Sequence, residues 1–377
     1  MTSRPRLRVA ILSSYPPDHA TFGGGVQTAT AALLEGLREL RDEVEVHLVT
    51  SANVPADVHS ERDGIAFHFL AGPHARWARP RFPWRAAAAA RTLKAIAPDV
   101  VHCQDTIVLA LAGSRGPWRK LFSIHGIKRA EARLRTGWER PSAAFEALLE
   151  RRVHRRYDAV VCNSAYATAA AGDVRKLLIP NAVRTDLFEL PRRSGGGPRL
   201  LFVGALTPLK RPGDLLDAHA ALLEHHPGLT TTFCGPVEDD GYVAELQRRR
   251  VPGVEWAGLV PRARVAEMLA SATALVLPSL QENVPMVIAE AMAAGVPVVA
   301  SGVGGIPEMV EHGVTGRLFP PGDAPALRAA LAEVLGDPER AASMGAAGRE
   351  RAAERYSAPA VARATVDAYR EVLSWKR

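Results

Sequence analysis

Two glutamates eight positions apart, Glu282 and Glu290, stand in the segment Pro278-Ser-Leu-Gln-Glu-Asn-Val-Pro-Met-Val-Ile-Ala-Glu290. A short apolar run ends at Pro278, and Glu282 falls in the loop that follows. Pro285 marks the start of a helix, because a proline in the first helical turn forfeits no hydrogen bond. The unbonded N–H groups and positive dipole end of such a helix make a seat for a phosphate group. Carboxylates do not suit a phosphate, but they accept hydrogen bonds from sugar hydroxyls well. One carboxylate would come from the loop and one from about a turn inside the helix. By residue type alone a second reading stays open, with Glu282 as a helix cap and Glu290 as a solvated helix residue.

Other residues with chemical potential also sit where an apolar run ends. Lys210 closes Leu201-Phe-Val-Gly204-Ala-Leu-Thr-Pro-Leu-Lys210 and is one of only six lysines against 41 arginines. By residue type alone it reads as a surface lysine, but that scarcity makes its place in this loop informative. Gly23, Gly24 and Gly25 follow the first apolar run and precede a helix starting near Gln27. Glycine lets backbone approach a ligand closely, though a plain turn uses the same residues. His125 ends a run before Gly126, and His102 and Asp105 lie at the end of another. Each could shape a pocket or serve structure alone. Gly302-x-Gly304 is not a dinucleotide fingerprint, since Pro307 stands at the third glycine position.

The hydrophobic pattern shows what must position these residues. Val9–Ser13, Val44–Thr50, Ile65–Leu70, Val100–Cys103, Leu121–His125 and Ala159–Asn163 are short β-rich runs. Ala-, Leu- and Arg-rich segments such as Gln27–Leu40 and Phe145–Tyr157 read as helices between them. Strands alternating with helices predict a parallel sheet covered on both faces. Pro191-Arg-Arg-Ser-Gly-Gly-Gly-Pro198 sustains neither helix nor strand and reads as a linker. Alternation restarts with Leu200–Gly204, Thr230–Gly235, Val254–Trp256, Ala274–Pro278 and Val296–Ser301. The final segment, Ala358–Arg377, reads as a helix that returns across the junction. The fold class is α/β, with two doubly wound Rossmann-like domains. The first covers 1–190 and is joined by the helix 358–377; the second covers 199–357. Ligands of open parallel sheets bind at the carboxyl ends of strands, so two such sheets predict an interdomain cleft.

Composition agrees with this reading and excludes others. At 377 residues the chain exceeds what one core usually organises, and 47% hydrophobic with 23% charged residues excludes general disorder. No apolar run approaches the roughly 20 residues needed to span a bilayer. Arg4, Arg6 and Arg8 precede only Val9–Leu12, too short for a signal-peptide core. Cys103, Cys162 and Cys234 form neither a metal spacing nor a disulfide framework, which favours a reducing cytoplasm. There is no D-x-D or H-E-x-x-H motif, so no metal is predicted.

Glu282-x7-Glu290, continued by Glu-Ala-Met-Ala-Ala-Gly-Val-Pro-Val-Val-Ala-Ser and Gly-Gly-Ile-Pro-Glu308, resembles the signature of family-4 retaining glycosyltransferases of the GT-B fold. Leu201–Lys210, Ile179-Pro-Asn-Ala-Val with Phe188, Gly23-Gly-Gly-Val-Gln27 and Ser123-Ile-His-Gly126 are similar to further segments of that family, in its order and spacing. The resemblance implies roles residue by residue. Glu290 would bind the nucleotide ribose hydroxyls and Glu282 the donor-sugar hydroxyls. The backbone of Asn283, Val284, Pro285, Met286 and Val287 would hold the sugar and diphosphate, with Gly24, Gly25 and Gly204 approaching the donor. Lys210 would neutralise the diphosphate, and His125 would orient sugar hydroxyls beside the reacting centre. His125, Glu282 and Lys210 are therefore the expected catalytic residues. The sequence departs from the pattern at Ala205, where the family commonly has Arg, and Arg211 is the candidate to supply that missing charge. Ala182 replaces a usual glycine, and Asn283 and Pro285 stand where many members carry glycines.

The implied activity is retaining transfer of a sugar from a nucleotide-sugar donor, UDP-linked by family precedent, to a glycan, lipid-linked glycan or small-metabolite hydroxyl. Domain closure would exclude water, and no cofactor is expected. The alternatives are a catalytically weak nucleotide-sugar-binding or partner subunit, or another GT-B enzyme such as an epimerase. Charge is uneven: residues 1–185 hold 27 Lys+Arg against 17 Asp+Glu, while the remainder is close to neutral. Arg76-Trp-Ala-Arg-Pro-Arg-Phe-Pro-Trp-Arg85 and nine basic residues within Lys128–Arg156 form the basic concentration. Such a mix of cations and aromatics suits the surface of an anionic membrane. Peripheral contact at the inner membrane face is therefore an expectation for the basic half; nucleic acid is not an expected partner. Solvated helix faces in an arginine-rich sequence account for the same residues equally well.

Overall fold

The computed structural model describes residues 6–19, 24–52, 54–71, 82–104, 110, 112–113, 115–127, 148, 152–193 and 195–376. Fourteen strands appear among them. The first eight are β1 (Leu7–Leu12), β2 (Val44–Ala52), β3 (Val58–Arg62), β4 (Ile65–Ala71), β5 (Val100–Cys103), β6 (Arg119–Ile124), β7 (Ala159–Cys162) and β8 (Lys176–Leu178). The others are β9 (Arg199–Val203), β10 (Thr230–Cys234), β11 (Val254–Gly258), β12 (Ala274–Leu277), β13 (Val298–Ser301) and β14 (Gly316–Phe319). The helices are α1 (Gly25–Glu39), α2 (Phe82–Ile96), α3 (Ala165–Ala170), α4 (Pro212–Leu222), α5 (Asp240–Arg248) and α6 (Arg262–Ser271). They continue with α7 (Met286–Ala293), α8 (Ile306–Met309), α9 (Ala324–Gly336), α10 (Pro338–Tyr356) and α11 (Ala358–Ser374).

The chain divides into two compact units, Met1–Ala182 with Ser357–Arg377, and Val183–Tyr356. The first sheet orders its strands β3-β4-β2-β1-β5-β6-β7-β8. All its pairs are parallel except β3 with β4. Aliphatic side chains alternate between two cores. Val9, Ile11, Val46 and Leu48 meet Leu33, Leu34 and Leu37 of α1 together with Val361, Val366 and Tyr369 of α11. Ala10, Leu12, Val49 and Val101 meet Ala89, Leu93 and Ile96 of α2. The C-terminal helix thus belongs to the first unit. It approaches α1 so closely that a Cβ added at Gly36 would overlap the Ala358 carbonyl, which is why a residue without a side chain stands there.

The second sheet is wholly parallel, in the order β11-β10-β9-β12-β13-β14. Numbered within the unit this is 3-2-1-4-5-6, the doubly wound dinucleotide-type order, whose direction of winding reverses between β9 and β12. In the first sheet the winding reverses between β1 and β5. At both places loops leave the carboxyl strand ends in opposite directions and open a crevice.

The boundary differs from the expected division at 190 and 199. Val183–Pro198 goes with the second unit, and hydrogen bonds explain why. Val183 donates its N–H to the Tyr356 carbonyl at 2.7 Å. Arg349 Nη2 donates to the Leu190 and Ala294 carbonyls, both at 3.1 Å. The Arg192 guanidinium donates to the Leu269 carbonyl at 2.6 Å and to the Ala272 carbonyl, capping the end of α6. The proline- and glycine-rich segment is strapped to its domain rather than left as a free tether.

Candidate active site

In the second unit the residues come together at the crevice between β9 and β12. The loop after β9 runs from Gly204 to Lys210, and the loop after β12 carries Ser279, Glu282 and Asn283. Lys210 Nζ lies 2.6 Å from Glu282 Oε1, and Ser279 Oγ donates to the same oxygen at 2.7 Å. Ser279 is fully buried, and its carbonyl accepts a hydrogen bond from Ser301 Oγ at the end of β13. Glu282 is 8% exposed, so burial makes these partners obligatory. It is not a helix cap: α7 begins at Met286 with Pro285 as its N-cap residue, and no side chain caps it. The proline therefore precedes the first helical residue instead of occupying it, and the loop extends one residue further than expected.

Val284, Met286 and Val287 are buried around that helix start, and the Asn283 carbonyl is taken by the Gly305 N–H at 3.0 Å. Glu290 lies in the second turn of α7 and is only partly exposed. Burial holds its carboxyl above the usual carboxylate range, opposed by Arg262 and Arg184. Gly204 keeps its N–H on the Cys234 carbonyl at 2.9 Å. Opposite it, a Cβ on Gly235, whose φ is 145°, would strike the Gly204 carbonyl. Arg211 adopts a left-handed conformation, φ 54°, as the residue before α4. Its Nε donates to Asp214 Oδ2 at 2.8 Å, which raises its already high pKa, so part of its charge serves α4.

In the first unit, His125 follows β6 and Gln104 follows β5. His125 Nε2 is 2.8 Å from Gln104 Oε1. Behind them His102 is bonded through Nδ1 to Tyr369 Oη of α11 at 2.9 Å and through Nε2 to Ser123 Oγ at 2.7 Å. Burial pushes the His125 ring down to about 4, and burial with the nearby His125 pushes His102 down to about 3. Both imidazoles are neutral at physiological pH. His102 is therefore a buried element of a network, and its predicted neighbour Asp105 lies outside the described residues. Gly24 caps α1 with an extended backbone, φ 178°, and open space where a Cβ would stand, and Gly25 opens the helix. Gly23 is outside the described residues, as are residues 72–81, residues 128–147 and the side chains of 82–85, which hold most of the basic concentration.

Sequence reading did not single out Ser279, Ser123, Gln104 or Tyr369. The first three lie within three residues of a named candidate, but only the fold brings Tyr369 to His102. Among the described residues no group of three or more His, Cys, Asp or Glu side chains is arranged to hold a metal ion. No described helix is long and apolar enough to cross a membrane.

Comparison with known proteins identifies the family and the fold. Residues 23–187 match the family described as Glycosyltransferase Family 4, and residues 183–351 match glycosyl transferases group 1. Glycogen synthase of Mycobacterium tuberculosis is 30% identical over 292 residues, covering 72% of this chain and 68% of that one. Sucrose-phosphate synthase from Thermosynechococcus elongatus shares the fold with a TM-score of 0.83 at 21% identity, over 98% of this chain and 100% of that one. Anabaena HepE, in complex with UDP-glucose, does so with a TM-score of 0.72 at 21% identity, over 98% and 100%. The chain belongs to glycosyltransferase family 4, and it is a glycosyltransferase of the GT-B fold.

Proposed function

We propose that this glycosyltransferase moves a sugar from a uridine diphosphate sugar to a hydroxyl acceptor, with retention at the anomeric carbon. The acceptor is a glycan, a lipid-linked glycan or a small metabolite. The observation that carries the reading is the Lys210–Glu282 pair at 2.6 Å, held by Ser279 at the winding reversal of the second sheet. A cation and a hydrogen-bond acceptor side by side suit the two halves of a nucleotide sugar. Lys210 takes up negative charge on the departing diphosphate, and the first-turn N–H groups of α7 add the helix-terminus field. Glu282 accepts from donor-sugar hydroxyls and Glu290 from the ribose. HepE, which shares the fold, is solved with UDP-glucose, and that supports the uridine preference.

Retention follows a front-face displacement. The bond between the anomeric carbon and the diphosphate oxygen breaks while the acceptor oxygen bonds to the same face of that carbon. The acceptor proton passes to the departing diphosphate, so no carboxylate nucleophile is required. Thermal melts with UDP-, GDP- and ADP-glucose test the donor. The UDP-sugar should stabilise the second unit, by about 2.7 kcal/mol at a hundredfold excess over Kd. Stabilisation by GDP- or ADP-glucose instead would overturn the uridine preference. NMR of the product's anomeric configuration tests retention, and an inverted product would sink it.

A further inference from the structure

The Gln104 side chain is 97% buried, by its residue exposure of 3%, yet it is an amide with an oxygen and two N–H groups to satisfy. Its orientation follows from His102. The amide nitrogen lies 3.4 Å from both ring nitrogens of His102. In the ring plane, equal distances to both would press it into Cε1, so it sits over the face of the imidazole. Both in-plane positions of that ring are already occupied by Tyr369 Oη and Ser123 Oγ. An N–H group over an aromatic face is attractive, whereas an oxygen there would meet the negative face of the ring. The amide oxygen therefore points away from His102 and towards His125 Nε2, at 2.8 Å.

We infer that Gln104 is a positioning residue that fixes His125 as its Nε2–H tautomer, with Tyr369, His102 and Ser123 holding Gln104 in turn. The amide oxygen can only accept, so His125 Nε2 must donate, and the imidazole lone pair falls on Nδ1. Burial that pushes His125 down to about 4 keeps the ring neutral, so the proton stays single and on Nε2. His125 then donates from Nε2 and cannot donate from Nδ1. This deepens the proposed function, on which its catalytic consequence rests, by turning an orienting histidine into one of defined polarity. It also gives the C-terminal helix a part in the site: Tyr369 reaches across 267 positions of sequence to hold the ring behind Gln104.

The test reads the tautomer directly, without any substrate. Protein labelled with 15N-histidine gives two-bond 15N–1H correlations that distinguish Nε2–H from Nδ1–H, and His125→Asn assigns the signals. The expected result is Nε2–H in the native chain. Gln104→Glu keeps the acceptor, so it should preserve that tautomer and raise the His125 pKa; Gln104→Leu should give a mixture of tautomers. Native His125 as Nδ1–H, an unshifted pKa in Gln104→Glu, or an unchanged tautomer in Gln104→Leu would each overturn the inference. Should Gln104→Leu fail to fold, Gln104→Glu decides alone. Nucleoside diphosphate release from UDP-glucose is measured alongside. Gln104→Leu should lower kcat by on the order of tenfold to a hundredfold with little change in donor KM, and Gln104→Glu should restore part of it. If the tautomer behaves as stated but no release occurs even in the native chain, the proposed UDP-glucose donor has failed and the positioning of His125 stands.

Discussion

The two units use one architecture but equip their crevices in opposite ways. The second unit places charge there: Lys210 and Glu282 are 2.6 Å apart, with Glu290 one helix turn behind. The first unit places neutral hydrogen-bonding groups there: His125, Gln104, His102, Ser123 and Tyr369 form an uncharged network at neutral pH. The difference corresponds to what each crevice is proposed to meet. A diphosphate gains charge as it departs, and a fixed cation beside a helix terminus offsets that growth. A sugar hydroxyl carries no charge and needs donors and acceptors held at the right angle, which a buried neutral network supplies with little reorganisation.

Breaking the charged side should therefore have the largest effect. Lys210→Ala or Glu282→Ala should each cut the rate of nucleoside diphosphate release from UDP-glucose by about a hundredfold to a thousandfold. The double variant should be little worse than either single one, because the two groups act as a unit. Full additivity in a double-mutant cycle would show that the 2.6 Å contact is incidental to turnover.

The neutral side should instead announce itself through acid. His102 protonates near pH 6.5 when unfolded but only near 3 in the folded chain, where burial and His125 oppose its charge. Its contribution is thus complete above pH 6.5. As pH falls below that value the unfolded chain binds a proton that the folded chain refuses. Stability then drops by about 1.4 kcal/mol per pH unit for this histidine alone. His68 and His154, both pushed down to about 4, act in the same direction and in the same unit. The second unit contributes His219, lowered by burial. Trp118 in the first unit and Trp256 in the second are separate reporters once the other tryptophans are replaced by phenylalanine. Between pH 6.5 and 4.5 the Trp118 transition should move to lower denaturant well before that of Trp256. Coincident transitions would refute the assignment of acid sensitivity to the first unit.

A smaller effect isolates the back of the network. Tyr369→Phe keeps the ring in the core and removes the hydroxyl at 2.9 Å from His102 Nδ1. Leaving that buried nitrogen unpaired should cost about 1–3 kcal/mol, seen as a lower Trp118 melting temperature with that of Trp256 unchanged. A loss shared equally by both reporters would place the role of Tyr369 elsewhere.

How much of this the sequence discloses depends on how local each feature is. Eleven strands are readable because an alternation of short aliphatic runs and helical segments is a local signal. β3 is missed because Val58-His-Ser-Glu-Arg62 is wholly exposed, an antiparallel edge with no buried face to give it a pattern. β8 is three residues long, and β14, Gly316-Arg-Leu-Phe319, opens on a glycine. In the site, Glu282 and Glu290 are visible because one loop and one helix carry both. The pairing of Lys210 with Glu282 spans 72 positions and that of Tyr369 with His102 spans 267, so spacing alone reveals neither. The strap at residues 190–193 is hidden for a different reason. Proline and glycine announce the absence of helix and strand, but the arginines that bind the segment to α6 and α10 look like any others in a chain holding 41 of them.

The smallest predicted effect concerns the boundary of the charged side. Ala205 stands where the family resemblance leads one to expect a cation after β9, and Arg211 is the candidate proposed to replace it. Its Nε is committed to Asp214 at 2.8 Å, and its side chain is about a third exposed, so solvent and salt screen what charge remains. Arg211→Ala should therefore weaken binding of UDP-glucose by no more than about fivefold, near the 1 kcal/mol expected of a screened contact. The loss should shrink as ionic strength rises, whereas that of Lys210→Ala should persist, because Lys210 contacts a carboxylate only 8% exposed. Titration of each variant with UDP-glucose at low and high salt separates them. A salt-independent loss approaching that of Lys210→Ala would make Arg211 a full member of the charged site. No loss at all would leave Lys210 as the cation on which the diphosphate depends, and would reduce Arg211 to the residue that anchors α4.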